Sequence, residues 1–254
     1  NAMLAHGWMV QAVRAADPDV QVGLASCGLV CTPEHESAAD IEAARSAMFS
    51  FGKHPDFSLF SHNAFLDPAI LGRYPDHPFF REIDLPAEDL KQICQPIDFV
   101  GLNFYNAYTM RAGSEGPEHV PFHRGYPRTA MRWPITPSMM YYGTKFLFER
   151  YGLPVYITEN GLSCNDKIYL DGKVHDADRI DFLHRYLLEL KRAASEGIDV
   201  RGYFHWSLLD NYEWSNGYEE RFGLYYVNYE TLERLPKDSS IWYRSVIESN
   251  GQSL

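Results

Sequence analysis

Four short apolar runs, separated by helix-length segments, constrain this 254-residue chain more than any other feature. They occupy residues 20–25, 98–104, 154–158 and 200–206. Each is rich in β-branched and aromatic residues and is bounded by turn formers, which marks a strand. Most are continuous apolar runs rather than strict alternations, as parallel strands covered on both faces require. Helical patterns fill the intervals at 38–51, 137–151 and 176–196, and a last helix is expected over 240–249. In 176–196, Ile180, Leu183, Leu187 and Leu190 recur at three- and four-residue steps with charges on the other face, and Gly197 is placed to end the helix. Strand alternating with helix predicts right-handed βαβ units and a parallel sheet.

A helical pattern also runs from Leu4 to Arg14, with no cap and no strand before it. Asn1-Ala2-Met3 reads as an expression scar with a starting methionine, leaving 4–254 as one domain. No repeat, linker or low-complexity tract divides that stretch. Acidic side chains outnumber basic ones by 34 to 23, for a net charge of -11, which argues against nucleic acid and anionic membrane surfaces as partners. No apolar run is long enough to span a bilayer as a helix. Cys27, Cys31, Cys94 and Cys164 are too few and too scattered for a disulfide framework. They read as reduced, buried thiols of a cytoplasmic protein. Cys27 and Cys31 lack the second Cys/His pair that a structural zinc would need, so no metal is expected. The first strand is followed by no Gly-rich phosphate loop, which excludes a nucleotide-binding α/β protein.

In parallel α/β folds the chemistry gathers at the carboxyl ends of the strands. Here those ends read Ser26-Cys27, Asn103-Phe104-Tyr105, Glu159-Asn160 and Trp206-Ser207, which suggests one shared site. By position alone, Glu159 divides evenly between a functional carboxylate and a salt-bridged strand end. The segment 203–214 sets aromatic platforms beside Glu213. Such a pairing suits sugars, whose C–H faces stack on indole while their hydroxyls seek acceptors. A buried aromatic cluster is the plainer alternative, and 15% aromatic content makes one easy to form. His205 reads as packed structure, and His62 and His175 as loop residues without a motif.

Taken together, Thr158-Glu159-Asn160-Gly161, Trp206-Ser207-Leu208-Leu209-Asp210-Asn211-Tyr212-Glu213-Trp214 and Arg221-Phe222-Gly223-Leu224 resemble family 1 of the glycoside hydrolases. The segments 98–105, 133–137, 226–229 and 236–243 match further family stretches in the same order, so the resemblance covers nearly the whole chain. It implies a (β/α)8 TIM barrel and hydrolysis of β-glycosides with retention. Glu159 then matches the nucleophile that forms a glycosyl-enzyme. Tyr105 matches the tyrosine that orients it, and Asn103 lines the same pocket. Trp206 matches a sugar platform, Glu213 and Trp214 match binders of its hydroxyls, Phe222 matches the adjacent wall, and Trp133 a platform for the leaving group. An acidic residue at 213 would repel a phosphate, so the implied partner is a plain β-linked saccharide or aryl glycoside, a glucoside or galactoside. No metal or organic cofactor is implied.

The count of strands conflicts with a full barrel. Four are found where eight are needed, matching the last four βα units, and no Asn-Glu dipeptide of the family's acid/base is present. Glu34, Glu36 and Glu219 have no context that would set one opposite Glu159. Little activity on ordinary glucosides is therefore expected from this chain alone, with a non-catalytic sugar-binding or scaffold module as the alternative. Half a barrel also leaves two strand edges bare. A homodimer, or a missing N-terminal half, is expected to cover them.

Overall fold

The structure is a computed structural model that describes residues 1–50, 60–82 and 86–254. The chain opens with helix α1 (Ala2–Ala16), strands β1 (Gly23–Cys27) and β2 (Val30–Pro33), and helix α2 (Ala38–Phe49). Short helices α3 (His62–Leu66), α4 (Pro78–Glu82) and α5 (Ala87–Ile93) follow, with a π-helical turn at Asp67–Leu71. Next come β3 (Phe99–Asn103), β4 (Ala107–Gly113), β5 (Gly116–Val120), α6 (Met139–Tyr151) and β6 (Val155–Asn160). The chain closes with α7 (Ala177–Ser195), β7 (Val200–His205), β8 (Tyr225–Val227), β9 (Arg234–Pro236) and α8 (Asp238–Glu248).

The four expected strands appear as β1, β3, β6 and β7, all parallel and adjacent in sequence order. This is the arrangement of four consecutive βα units of a TIM-type barrel. Among the described residues the sheet does not close: β1 and β7 are its two edges. One face packs under helices. Val100, Leu102, Val155 and Ile157 are buried there with Phe146 and Leu147 of α6 and Phe182, Leu183 and Tyr186 of α7. Each such side chain contributes about 1.5–3 kcal/mol by leaving water. The opposite face is mostly half-buried, with Ala25 exposed. Phe99 and Tyr156 meet edge to face at 4.8 Å, Gly101 lies against Thr158 and Ala25, and Phe204 is 58% exposed.

Helix α7 has its apolar stripe where the spacing predicts it, burying Leu183, Leu187 and Leu190. It stops one residue short at each end. Gly197 takes φ 91° just beyond it, and its N–H donates to the Ala194 carbonyl. Helix α2 starts at the predicted place because the Ser37 hydroxyl accepts from the Asp40 N–H at 3.1 Å. It ends at Phe49, while Phe51, the expected end, lies outside the described residues. Helix α6 starts at Met139, and α8 runs from Asp238, two residues before the expected 240.

Two features escaped the sequence pattern. Strands β2, β4 and β5 form a second sheet of three, and β8 pairs with β9. These strands are short or largely polar, so they carry no apolar run. Two expectations also need correction. His62 is the first residue of α3 and fully buried rather than in a loop. Of the thiols only Cys31 is buried; Cys27 is exposed, Cys94 and Cys164 are half-buried, and all four are free. Among the described residues no helix is long and apolar enough to cross a membrane, and no His/Cys/Asp/Glu group is arranged to hold a metal.

Candidate active site

Glu159 sits one residue before the end of β6, and its backbone is clamped from both sides. The Phe104 N–H donates to the Glu159 carbonyl at 2.8 Å, and the Trp206 N–H donates to the Asn160 carbonyl at 2.8 Å. The buried Asn160 side chain completes the clamp. Its amide donates to the Phe104 carbonyl at 2.7 Å, while its oxygen accepts from the Tyr203 hydroxyl at 2.8 Å. The β3–β6 register shifts between Leu102 and Asn103, and the β6–β7 register shifts between Ile157 and Asn160. Irregularities of this kind re-aim side chains at a strand end, here where Asn103 pairs with Glu159. Gly161 is required at its position, because a Cβ there would fall 1.9 Å from the Trp206 carbonyl oxygen.

Glu159 opens into a cavity of about 550 Å³. All eight residues expected at the site line it: Asn103, Tyr105, Trp133, Glu159, Trp206, Glu213, Trp214 and Phe222. The Tyr105 hydroxyl donates to Glu159 Oε2 at 2.7 Å. Burial, then the neighbouring Glu159, pushes the Tyr105 phenol far above its ordinary pKa, so it stays a donor. The Tyr105 ring is itself held, with Trp133 at 5.3 Å and Phe222 at 6.3 Å between ring centroids. Asn103 is engaged at the floor, where its side-chain oxygen accepts from the Thr158 hydroxyl at 2.6 Å.

Glu213 is the second carboxylate on the wall. Burial raises its pKa most, the Trp206 indole N–H pulls it back, and the charge of Glu159 raises it further. Among the described residues that line the cavity, Glu159 and Glu213 are the only carboxylates. Glu34, Glu36 and Glu219 do not line the cavity, and Glu36 is paired with Arg192 and Tyr142. His205 lies behind the site as packed structure. Its Nε2 stands 3.2 Å from the Phe222 carbonyl, and burial drops its pKa to about 3. His175 bridges Asp171 and Asp238 at the surface, away from the cavity.

Sequence reasoning missed Asn106, Tyr108, Leu29 and Phe60, which also line the cavity. Nothing in their local pattern marks them. Cys27 lines it too, and was visible only as a strand end. Indole faces, a phenol donor and two carboxylates around one ring-sized space can stack a polyol ring and hydrogen-bond its hydroxyls.

Comparison with known proteins agrees with this geometry. The family model described as glycosyl hydrolase family 1 matches residues 1–252. A 1,4-beta-D-glucan glucohydrolase of Thermotoga neapolitana is 41% identical over 99% of this chain and 56% of its own length. Beta-glucosidase A of Acetivibrio thermocellus is 37% identical over 99% of this chain and 56% of its own length. Among solved structures, a beta-glucosidase from Thermotoga maritima in complex with glucoimidazole superposes with a TM-score of 0.82 at 38% identity, over 98% of this chain and 56% of that one. The chain thus spans about half the length of the curated relatives it matches.

Proposed function

The chain belongs to glycosyl hydrolase family 1, and from that premise we propose that it carries the nucleophile half of a retaining β-glucosidase site. In this reading the Glu159 carboxylate attacks the anomeric carbon, a bond forms to its oxygen, and the aglycone leaves with the bonding electron pair. Tyr105 orients the nucleophile. Trp206 stacks the sugar, Glu213 and Trp214 hold its hydroxyls, Asn103 and Phe222 shape the pocket, and Trp133 supports the leaving group. The observation that carries the reading is the hydrogen bond from Tyr105 to Glu159 in a cavity walled by Trp133, Trp206 and Trp214.

Retaining hydrolysis needs a second carboxyl group about 5–5.5 Å across the bond. Glu213 faces the sugar hydroxyls in this reading, so no described lining residue is free to act as the acid/base. That assistance is worth about 10²–10⁴-fold. The chain alone therefore turns over only substrates whose leaving group needs no proton. The substrate class is a plain β-glucoside or β-galactoside; sugar analogues bound to the Thermotoga maritima relative support this choice. A second copy of the half-barrel, its open edges meeting β1 and β7, is part of the same reading. It is supported by the two open sheet edges and the exposed Phe204 on the inner face. So is a cytoplasmic setting, supported by four free thiols.

The test uses 2,4-dinitrophenyl β-glucoside with and without azide. The expected result is a burst of dinitrophenolate followed by slow turnover that azide accelerates, as azide attacks the anomeric carbon, frees Glu159 and leaves β-glucosyl azide. Hydrolysis of an alkyl glucoside as fast as the activated one would contradict the missing acid. Reversible sugar binding with no burst would favour the binding-module reading, which rests on the lack of an opposed acid/base among the described lining residues. Sedimentation of the chain as a monomer would remove the second copy.

A further inference from the structure

Behind the sugar wall lies a buried charge cluster that the proposed chemistry does not use. Asp210 stands between Trp206 and Glu213 in the loop that follows β7, with a fully buried side chain. One oxygen accepts from the Gly223 N–H at 2.9 Å and from Lys237 Nζ at 2.7 Å. The other accepts from Arg221 Nη1 at 2.6 Å and the Val227 N–H at 3.3 Å. Lys237 is likewise buried and donates to Asp166 at 2.6 Å, in the loop that leaves β6 after Glu159. Arg179 closes the circuit through Asp166 and the Arg221 carbonyl.

We propose that Asp210 is a positioning residue for the sugar wall, fixing the Trp206–Trp214 loop to the Phe222 segment and, through Lys237 and Asp166, to the strand that bears Glu159. This rests on the functional reading above. The argument is geometric. One carboxylate bonds the backbone on the far side of Phe222 while lying within the loop that carries Trp206 and Glu213. Backbone bonds zip the same two segments together, Leu224 N–H to the Ser207 carbonyl at 2.9 Å and Asp210 N–H to the Tyr225 carbonyl at 3.0 Å. The fit leaves no slack: a Cβ on Gly223 would meet the Asp210 nitrogen at 2.1 Å. Removing either partner of a buried pair leaves the other charge unmatched, so the loop cannot keep this seat without it.

A purely structural cluster would alter melting without altering the site, and the experiment separates the two. Asp210→Asn and Lys237→Met are compared with Leu187→Ala, a buried packing change on α7 remote from the cavity. Two readouts are taken on the full chain: amide hydrogen exchange and calorimetric affinity for deoxynojirimycin. The expected result is at least tenfold faster exchange of the Gly223 and Val227 amides and at least tenfold weaker binding in Asp210→Asn and Lys237→Met. Leu187→Ala should change neither at an equal drop in melting temperature. Variants at 210 and 237 that keep wild-type protection, or that match Leu187→Ala, overturn the proposal. If neither variant folds, the unmodified chain decides. Its Gly223 and Val227 amides should exchange as slowly as those of β6, and exchange a hundredfold faster overturns positioning. An unmodified chain that takes no deoxynojirimycin overturns the functional reading instead, and the exchange data still judge Asp210.

Discussion

The mouth of the sheet and its inner face are built from the same four strands to opposite standards. At the mouth, nearly every polar group is partnered: Glu159 by Tyr105, Asn160 by Phe104 and Tyr203, Asp210 by four donors. One layer deeper, the glycines Gly23, Gly101 and Gly202 lie against Phe99, Thr158 and Tyr156, while Ala25 is exposed and Phe204 is largely exposed. The contrast shows that the cavity wall is organised by bonds within the chain, whereas the inner face of the open sheet depends on apolar surface that these strands cannot fully cover by themselves. Pre-organisation of a wall does not require closure of the barrel around it.

The largest expected effect falls at the mouth. Glu159→Gln should abolish the dinitrophenolate burst, a loss of at least about 10³-fold, because an amide oxygen is too weak a nucleophile. Stopped-flow absorbance reads it. A surviving burst would move the chemistry away from β6.

Acid should undo the mouth from behind. His62 is fully buried against Ser26, with burial dropping its pKa to about 4, and His205 behaves alike at about 3. Both are depressed below the ordinary value near 6.5, so the unfolded chain takes up protons first. Stability is complete above about pH 6.5 and falls as the pH drops toward 4, by about 3 kcal/mol for His62 alone. Urea melts at pH 7 and pH 4 measure it, and a flat profile would contradict the burial of both rings. His175 acts in the opposite sense at the surface: Asp238 and Asp171 raise its pKa, so its small contribution fades as the pH rises above 6.5.

Tyr105→Phe should slow the burst about 10–100-fold, the worth of a hydrogen bond to a charged group of about 1.5–3 kcal/mol. The fold should persist, since Trp133 and Phe222 still pack the ring. The smallest effect belongs to the inner face. Phe204→Ser should shift the stability of an isolated chain by no more than about 0.5 kcal/mol in a denaturant melt. A larger loss that grows with protein concentration would show that a second copy already covers that face.

What the sequence made legible follows the same divide. The strands β1, β3, β6 and β7 declared themselves because most are apolar on both faces, with Val100, Leu102, Val155 and Ile157 under the helices and Phe99, Tyr156 and Phe204 on the other side, and α7 declared itself by its unbroken stripe. All eight expected site residues line one cavity: Asn103, Tyr105, Glu159 and Trp206 stand at or just beyond a strand end, while Trp133, Glu213, Trp214 and Phe222 come from longer connections and were legible only through the family resemblance. Strands β2, β4 and β5 stayed hidden, since Thr109, Arg111 and Glu118 give them no apolar run and pairing alone makes them strands. His62 looked like a loop residue because its burial comes from Ser26 and Phe104, distant in sequence. Asp210 gave no sign of its role for the same reason: Arg221, Gly223 and Lys237 meet it only after the chain folds back.

The most direct test of the central claim is mass spectrometry of the unmodified chain after incubation with 2-deoxy-2-fluoro-β-glucosyl fluoride, whose departing fluoride needs no acid. A single added fluoroglucosyl group on the peptide containing Glu159 is the predicted result. An unlabelled chain, or a label on any other residue, would contradict the account.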